Sequence, residues 1–158
     1  MDLVIEFLDL NAIVYKLYKH EPVYTVEQAK ETRKIIDGLH CKNLFLRNQK
    51  GDKHFLVIFP ADMEVDLKSL APLIGINKIS FASAKRLQKY LGVEPGSVSI
   101  FGLLNDKESM VQVFLHREIL KADKVTFHPN DNNATISLMQ SQFKLFLSAL
   151  GKDYSLIS

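Results

Sequence analysis

The stretch HCKNLFLRN, residues 40–48, decides the fold hypothesis, because it is short, largely apolar and followed by the turn-like residues 49–52. It predicts a β-strand that pairs as a hairpin with the next apolar run, HFLVIF at residues 54–59. A period of two places one lysine and two leucines on the same face, namely Lys42, Leu44 and Leu46. That face should be buried, so a lysine at its head needs a partner or a task.

Outward from this hairpin, the chain alternates between helical and strand patterns. Helices are predicted at residues 1–10, 25–33, 67–74, 84–91 and 141–150. Further strands are predicted at residues 13–20, 78–82, 110–116, 124–128 and 135–138. No strict β-α-β alternation is present, and we therefore expect a mixed α/β fold with a mixed or mostly antiparallel sheet surrounded by helices.

Composition is that of one ordinary globular domain. The chain has 158 residues, 47% hydrophobic and 24% charged, and a formal net charge of +2 that does not by itself indicate nucleic-acid binding. The single cysteine, Cys41, excludes an internal disulfide and a thiolate zinc cluster, which fits a reducing cytoplasm. The apolar start carries acidic residues at helical spacing and is too short to span a bilayer, so we expect an amphipathic helix and no membrane association.

Familiar catalytic motifs are missing from the sequence. Neither Gly-x-Gly-x-x-Gly nor the Gly-x-x-x-x-Gly-Lys-Ser/Thr loop occurs, and there is no Gly-x-Ser-x-Gly elbow. The five histidines lack the short spacings of metal ligands. Dinucleotide enzymes, loop-type NTPases, serine hydrolases of the elbow type and histidine metal sites are therefore not supported.

Three places where polar residues interrupt apolar runs remain, and the pattern leaves two interpretations open at each. The ammonium of Lys42 could snorkel to water from the core edge, or it could point into a cleft and hold a phosphate or ester oxygen. The segment EPGSVSIFGLLND, residues 94–106, is either an ordinary connection or a loop whose glycines let the backbone approach an anion. His128, in FHPNDNNATIS, is either a structural histidine or part of a pocket.

Several blocks, in order, resemble the free-standing prolyl-tRNA editing proteins, relatives of the editing domain inserted into bacterial prolyl-tRNA synthetases. HEPVYTVEQA at residues 20–29 is similar to the family's His-x-Pro-x-x-Thr-x-x-x-Ala opening, and the Lys-Asn-Leu-Phe-Leu-Arg run at residues 42–47 is its most specific signature. Matching blocks continue at residues 55–70, 79–106 and 127–138. The resemblance thus identifies residues 1–158 as one prolyl-tRNA synthetase-associated editing domain.

The resemblance implies a bent, barrel-like mixed sheet and hydrolysis of the ester between a wrong amino acid, most often alanine, and proline tRNA. It implies no cofactor and no metal, mischarged tRNA(Pro) as the partner, and prolyl-tRNA synthetase as a further potential partner. Catalytic roles fall to Lys42 and Asn43. Substrate-binding roles fall to residues of two loops and the strand that follows, namely Gly96, Ser97, Gly102, His128, Asn132 and Thr135.

An aminoacyl ester is already activated, so such a site needs mainly to position a water, stabilise the oxyanion and hold the terminal adenosine. The resemblance therefore implies no side-chain nucleophile, with the water activated by the ribose hydroxyl of the substrate. Steric exclusion of proline is the expected safeguard, because a pocket discriminates one methylene by only about 1 to 3 kcal/mol.

This chain departs from the family pattern at three positions near the implied pocket. The family's Gly-x-x-x-Pro loop ends here in Ile100, which packing would have to hold in place of a proline ring. His116 stands where an aspartate is common, and Asn130 stands where an apolar residue is usual. Three hypotheses follow: a deacylase for Ala-tRNA(Pro), a deacylase for another mischarged tRNA carrying cysteine or serine, and a non-catalytic module that binds tRNA or an amino acid.

Overall fold

The computed structural model describes residues 1–158, apart from the side chain of Val26. The five predicted helices form as α1 to α5: Asp2–Leu10, Val26–Ile35, Leu67–Leu73, Ala84–Leu91 and Gln140–Leu150. Eight strands, β1 to β8, follow in chain order: Lys16–Lys19, Leu39–Asn48, His54–Pro60, Ile79–Phe81, Val111–His116, Lys124–Phe127, Ala134–Met139 and Tyr154–Ile157. Three 3₁₀ helices complete the chain: Pro95–Ser97, Ile100–Asn105 and Arg117–Leu120.

Helix starts lie where the sequence places capping residues. Thr25 Oγ1 accepts a hydrogen bond from the Gln28 amide at 3.1 Å, and Gln28 Oε1 accepts one from the Thr25 amide, which completes the predicted capping box. Asp66 and Ser83 cap α3 and α4, each through a side-chain oxygen that accepts a hydrogen bond from a backbone amide of the first turn. Gly92 ends α4 in the left-handed conformation. Local side-chain chemistry therefore accounts for these element boundaries.

All eight strands belong to one mixed sheet with the order β1-β7-β6-β2-β3-β5-β8, and β4 pairs with β2 off this path. Four pairings are antiparallel and three are parallel. The predicted hairpin is present, with Lys42 opposite Phe59 and Arg47 opposite His54. The prediction of a mixed α/β domain with a mostly antiparallel mixed sheet is therefore confirmed.

Burial on β2 and β3 is two-sided. Leu46, Phe55 and Val57 belong to one buried cluster, which includes residues of α3, while Phe45 and Leu56 belong to a second, larger cluster on the other face. Both faces of the hairpin are thus covered, which is why β3 reads as a continuous apolar run without alternation. The face of Lys42 is indeed apolar, but the opposite face is buried as well.

The edge of β2 that faces away from β3 is paired only at its two ends. Leu39 and His40 pair in parallel with β6, and residues 46–48 pair antiparallel with β4. Between these contacts, β2 has no ladder partner on this edge among the described residues. The carbonyl of Phe45 accepts from the Ala82 amide at 3.0 Å, so the strand edge opens into a gap at residues 41–44, and the Lys-Asn pair lies within it.

Among the described residues, none of the helices is long and apolar enough to cross a membrane.

Candidate functional site in the gap beside strand β2

A cleft of about 310 Å³ opens at this gap. Its floor and walls come from β2, the end of β6, the start of β7 and the 3₁₀ helix at Pro95–Ser97, and α2 contributes one rim. Five of the residues predicted from the sequence line it, although they lie far apart along the chain: Lys42, Asn43, Gly96, His128 and Thr135.

Lys42 is half-buried, and its Nζ donates a hydrogen bond to the backbone carbonyl of Met63, in the segment after β3. Lys42 lines the cleft, and its ammonium is held by a neutral acceptor, so this hydrogen bond does not cancel its charge. This geometry agrees with the second of the two interpretations of Lys42.

Asn43 lines the same cleft from the next position of β2. Its Oδ1 atom is buried and has no hydrogen-bond partner among the described groups. A buried amide oxygen without a partner is costly, and it is usually satisfied by an ordered water or a ligand. Asn43 is therefore placed to accept a hydrogen bond from a molecule in the cleft.

His128 follows β6, and its Nδ1 lies 2.9 Å from the carbonyl oxygen of Ala134. Burial lowers the pKa of His128 below its usual 6.5, the bond to Ala134 opposes this, and the nearby His20 adds to it. His40 behaves similarly: its Nε2 lies 2.8 Å from the carbonyl of Ile36, and burial lowers its pKa. Both imidazoles therefore remain neutral at pH 7.

Thr135, on β7, is almost fully buried, and its Oγ1 lies 2.9 Å from Nε2 of His20. The antiparallel register of β1 and β7 brings these two residues together although they are 115 positions apart. Nδ1 of His20 lies 2.8 Å from its neighbour Glu21's carbonyl oxygen. The imidazole thus bridges the chain after β1 to the wall of the cleft.

Asn132 lies at the rim, where its Nδ2 donates to the carbonyl of Val23 at 3.5 Å and lies 3.7 Å from the position that a Cβ on Gly96 would take. Ser97 is buried next to Gly96 but is not part of the lining. Gly102 is buried outside the cleft against Leu91, and its amide donates to the carbonyl of Ser99 at 2.9 Å. Gly102 therefore has no free amide to offer a ligand there.

The three departures from the family pattern are each held by local contacts. Ile100 is fully buried in the larger cluster, so packing replaces the missing proline ring, as expected. His116 caps the 3₁₀ helix at Arg117–Leu120 through Nδ1, which accepts from the Glu118 amide at 3.2 Å. Asn130 has a φ of 62° and donates to the carbonyl of Phe101 at 3.3 Å.

The charge in the cleft is positive. Its two cationic side chains are Lys42 and Arg33, and Arg33 forms a 3.3 Å ion pair with the exposed Asp62. No carboxylate is found among the described lining residues. This environment favours an anionic or ester-bearing ligand, and Lys42 is its main uncompensated charge.

Cys41 also lines the cleft, but burial raises the pKa of its thiol to about 12. The thiol is therefore protonated at neutral pH and is a poor nucleophile. The described residues contain no group of three or more histidine, cysteine or acidic side chains that could hold a metal ion.

Several lining residues were not predicted as site residues, including Arg33, His40 and Cys41. His40 and Cys41 adjoin the Lys-Asn pair, so their position on the strand was a usable signal. Arg33 had no such signal, because its place in the cleft depends on where α2 packs in the folded chain. His20 was noted only within a motif, and its contact with Thr135 depends on strand register.

Comparisons with known proteins agree on one family. The model of the aminoacyl-tRNA editing domain matches residues 20–145. The prolyl-tRNA editing protein ProX of Acetoanaerobium sticklandii is 42% identical over 154 residues, covering 98% of this chain and 94% of that protein. The prolyl-tRNA synthetase associated domain-containing protein 1 of Mus musculus is 30% identical, covering 90% of this chain and 86% of that protein.

The fold also matches solved structures. The crystal structure of a protein described as a candidate trans-editing enzyme for prolyl-tRNA synthetase superimposes with a TM-score of 0.71 over 97% of this chain and 92% of that chain. Sequence identity between the two is 17%, so this likeness concerns the fold alone.

Proposed function

Because the chain belongs to the family of aminoacyl-tRNA editing domains, we propose that it is a hydrolase that removes a wrong amino acid from proline tRNA. The observation that carries the proposal is the convergence of Lys42, Asn43 and His128 on one cleft. These are the residues that the resemblance to prolyl-tRNA editing proteins makes functional. The ProX relative is a prolyl-tRNA editing protein, which supports the same substrate class.

The chemistry proposed is direct attack of water on the aminoacyl ester. The main task of the site is to stabilise the oxyanion that develops on the ester carbonyl, and Lys42 offers an uncompensated positive charge for it. Asn43 Oδ1, buried and without a partner, accepts a hydrogen bond from the attacking water or from the ribose hydroxyl that activates it. The protonated thiol of Cys41 argues against a covalent intermediate on that residue.

We propose alanine as the amino acid removed. Side chains of moderate size, Cys41, Val98 and Thr126, line the cleft together with the ring of His128. A wall of this kind excludes the proline ring by volume, whereas attractive contacts alone would discriminate too weakly. Correctly charged Pro-tRNA(Pro) is then spared because it does not fit.

The test is deacylation of tRNA(Pro) charged with alanine, cysteine, serine or proline by the purified protein, with the Lys42→Ala variant as control. Rapid loss of alanine with proline spared, and no loss with the variant, is the expected result. If cysteine or serine were removed faster than alanine, the preferred substrate would be tRNA(Pro) charged with that amino acid. Saturable, salt-sensitive tRNA binding without hydrolysis above background would reject the enzyme and favour a binding module.

A further inference from the structure

His54 and Arg86 meet where α4 packs against the hairpin of β2 and β3. Nη1 of Arg86 donates a hydrogen bond to the carbonyl oxygen of Gly51, in the turn of the hairpin, at 2.9 Å. The same nitrogen lies 2.9 Å from Nε2 of His54, at the start of β3. A terminal guanidinium nitrogen carries two N–H groups, so these two partners use both of them. One arginine of α4 thus holds the turn and the imidazole together.

The contact between these two side chains requires a neutral imidazole. A guanidinium can only donate, so Nε2 of His54 must offer a lone pair and Nδ1 must carry the proton. A proton on Nε2 would set two donors and two positive charges against each other at 2.9 Å. The hydrogen bond from Arg86 to His54 therefore exists only while His54 is uncharged.

The imidazole of His54 has little contact with water. The residue is only 2% exposed, and its ring packs against two aromatic rings, with centroid distances of 5.6 Å to Phe45 and 4.1 Å to Tyr90. Tyr90 lies one turn after Arg86, so both residues are on the same side of α4. A protonated His54 therefore gains hydration only when α4 moves away from the hairpin.

The charges around His54 are mostly positive. α4 supplies two cations, Arg86 and Lys89. β2 supplies Arg47, which is opposite His54 in the strand register, and the turn supplies one carboxylate, Asp52. Burial and the three cations lower the pKa of His54, whereas Asp52 raises it. Acid therefore opposes the folded arrangement at this point of the chain.

We propose that His54 and Arg86 form an acid-sensitive latch, in which protonation of His54 releases Arg86 and lets α4 open locally while the rest of the chain stays folded. The chain leads from α4 into the 3₁₀ helix at Pro95–Ser97, which borders the cleft, so the latch lies next to one wall of the site. Neither His54 nor Arg86 is among the described residues that line the cleft, and the latch does not rest on the proposed function.

Hydrogen exchange tests the latch without measuring turnover. Exchange of the backbone amides is followed residue by residue by NMR at about pH 7.5 and about pH 5, and is corrected for the intrinsic pH dependence of exchange. The wild type is compared with His54→Gln, Arg86→Met and Lys85→Met. The glutamine oxygen accepts from Arg86 at either pH and does not titrate. Lys85→Met is the matched control, because it removes an exposed cation of α4 next to the latch.

In the wild type, the α4 amides should exchange between about fivefold and about 30-fold faster at about pH 5 than at about pH 7.5. The upper limit is set by a free histidine of pKa about 6.5, which is protonated about 30 to 1 at about pH 5. Lys85→Met should show the same acceleration. In His54→Gln the α4 amides should keep their rate within about twofold, since no titrating group remains in the latch, while β3 amides keep the acceleration that His40 and His128 cause on unfolding. In Arg86→Met the α4 amides should exchange fast at both pH values.

Acceleration of the α4 amides of His54→Gln to the wild-type extent would overturn the proposal. So would a single free energy of opening shared by the α4 and β3 amides of the wild type, because exchange would then require unfolding of the whole chain. If His54→Gln does not fold, titration of the His54 imidazole by NMR in the wild type and in Arg86→Met decides. The pKa of His54 should rise when the Arg86 charge and its hydrogen bond are removed, and an unchanged pKa would refute the latch.

Discussion

Replacing the two cations of the cleft should have very unequal effects, although both line it. Lys42→Met removes the charge and keeps the unbranched stem that packs at the edge of the core. Arg33→Met removes a charge that already lies 3.3 Å from the carboxylate of Asp62. Comparing the two variants therefore shows whether hydrolysis needs the cation at position 42 on β2 or any positive charge in the cleft.

The magnitude follows from Coulomb's law for an oxyanion in direct contact with the ammonium. An oxyanion about 4 Å from the Lys42 ammonium would be stabilised by about 4 kcal/mol at an effective dielectric constant of about 20. Loss of that interaction lowers the rate of deacylation by roughly 10³-fold, since about 1.4 kcal/mol corresponds to a factor of ten. The charge of Arg33 is largely cancelled by the exposed carboxylate of Asp62 and screened by solvent, so Arg33→Met should lower the rate less than about tenfold.

The assay is single-turnover hydrolysis of Ala-tRNA(Pro), with unfolding in urea measured on the same preparations. Lys144→Met, on the exposed side of α5, serves as the matched control and should change neither quantity. Lys42→Met should lower the free energy of unfolding by only about 1 kcal/mol, from the lost bond to the Met63 carbonyl. A Lys42→Met enzyme that retains more than about a tenth of wild-type activity would refute the electrostatic role.

Three further predictions concern the framework of the site. Gly102→Ala should destabilise the fold by about 1 to 3 kcal/mol, because its Cβ would lie 3.0 Å from that of Leu91. The Cβ of Gly96→Ala would lie 3.7 Å from a side-chain nitrogen, an ordinary contact, so this variant should have a free energy of unfolding in urea within about 0.5 kcal/mol of the wild type. An equal loss of stability in the two variants would contradict the difference in packing at the two glycines. The thiol of Cys41, with its pKa raised to about 12 by burial, should resist disulfide reagents at about pH 8 until urea unfolds the chain; rapid labelling of the native protein would contradict its burial. Acid should destabilise the protein, because burial lowers the pKa of three histidines below 6.5 in the folded state: His40, His54 and His128. As the pH falls through about 6.5, the unfolded chain binds more protons at these residues than the folded protein does, and the free energy of unfolding decreases. Urea unfolding from about pH 7.5 to about pH 5.5 should therefore show a falling free energy, and a flat or rising profile would be inconsistent with neutral buried imidazoles.

The elements that the sequence predicted well are those with local causes. The hairpin of β2 and β3 is set by its turn and its apolar runs, and α2, α3 and α4 begin at capping side chains. The terminal strand β8, Tyr154–Ile157, was missed because it pairs in parallel with β5 and is mostly exposed, so neither a hairpin turn nor an apolar pattern marks it. The 3₁₀ helices within residues 94–106 were read as loop for a similar reason, since their glycines and proline mask short helical turns.

The residues of the candidate site also differ in whether a local sequence signal marks them. The Lys-Asn pair and His128 were predicted as site residues because the motifs around them resemble those of the family, and all three line the cleft. The contact between His20 and Thr135 could not be predicted from the sequence, because it depends on the register in which β1 pairs with β7. Gly102 illustrates the converse, since its sequence suggested an exposed loop amide while its neighbours turn it into a tight packing position against Leu91.

The gap on the edge of β2 connects the fold to the proposed chemistry. A strand that pairs with β3 along residues 41–47 and has buried clusters on both faces cannot shift by one residue without exchanging those faces. The pairing with β3 continues along the stretch where the other edge of β2 is left unpaired, between His40 and Phe45. Lys42 and Asn43 lie on this paired stretch, so much of the cost of positioning them is met during folding rather than during the reaction. The cleft thus combines an open strand edge, which gives access to a ligand, with a strand that is paired along its other edge and packed on both faces, which holds the proposed reacting groups in place.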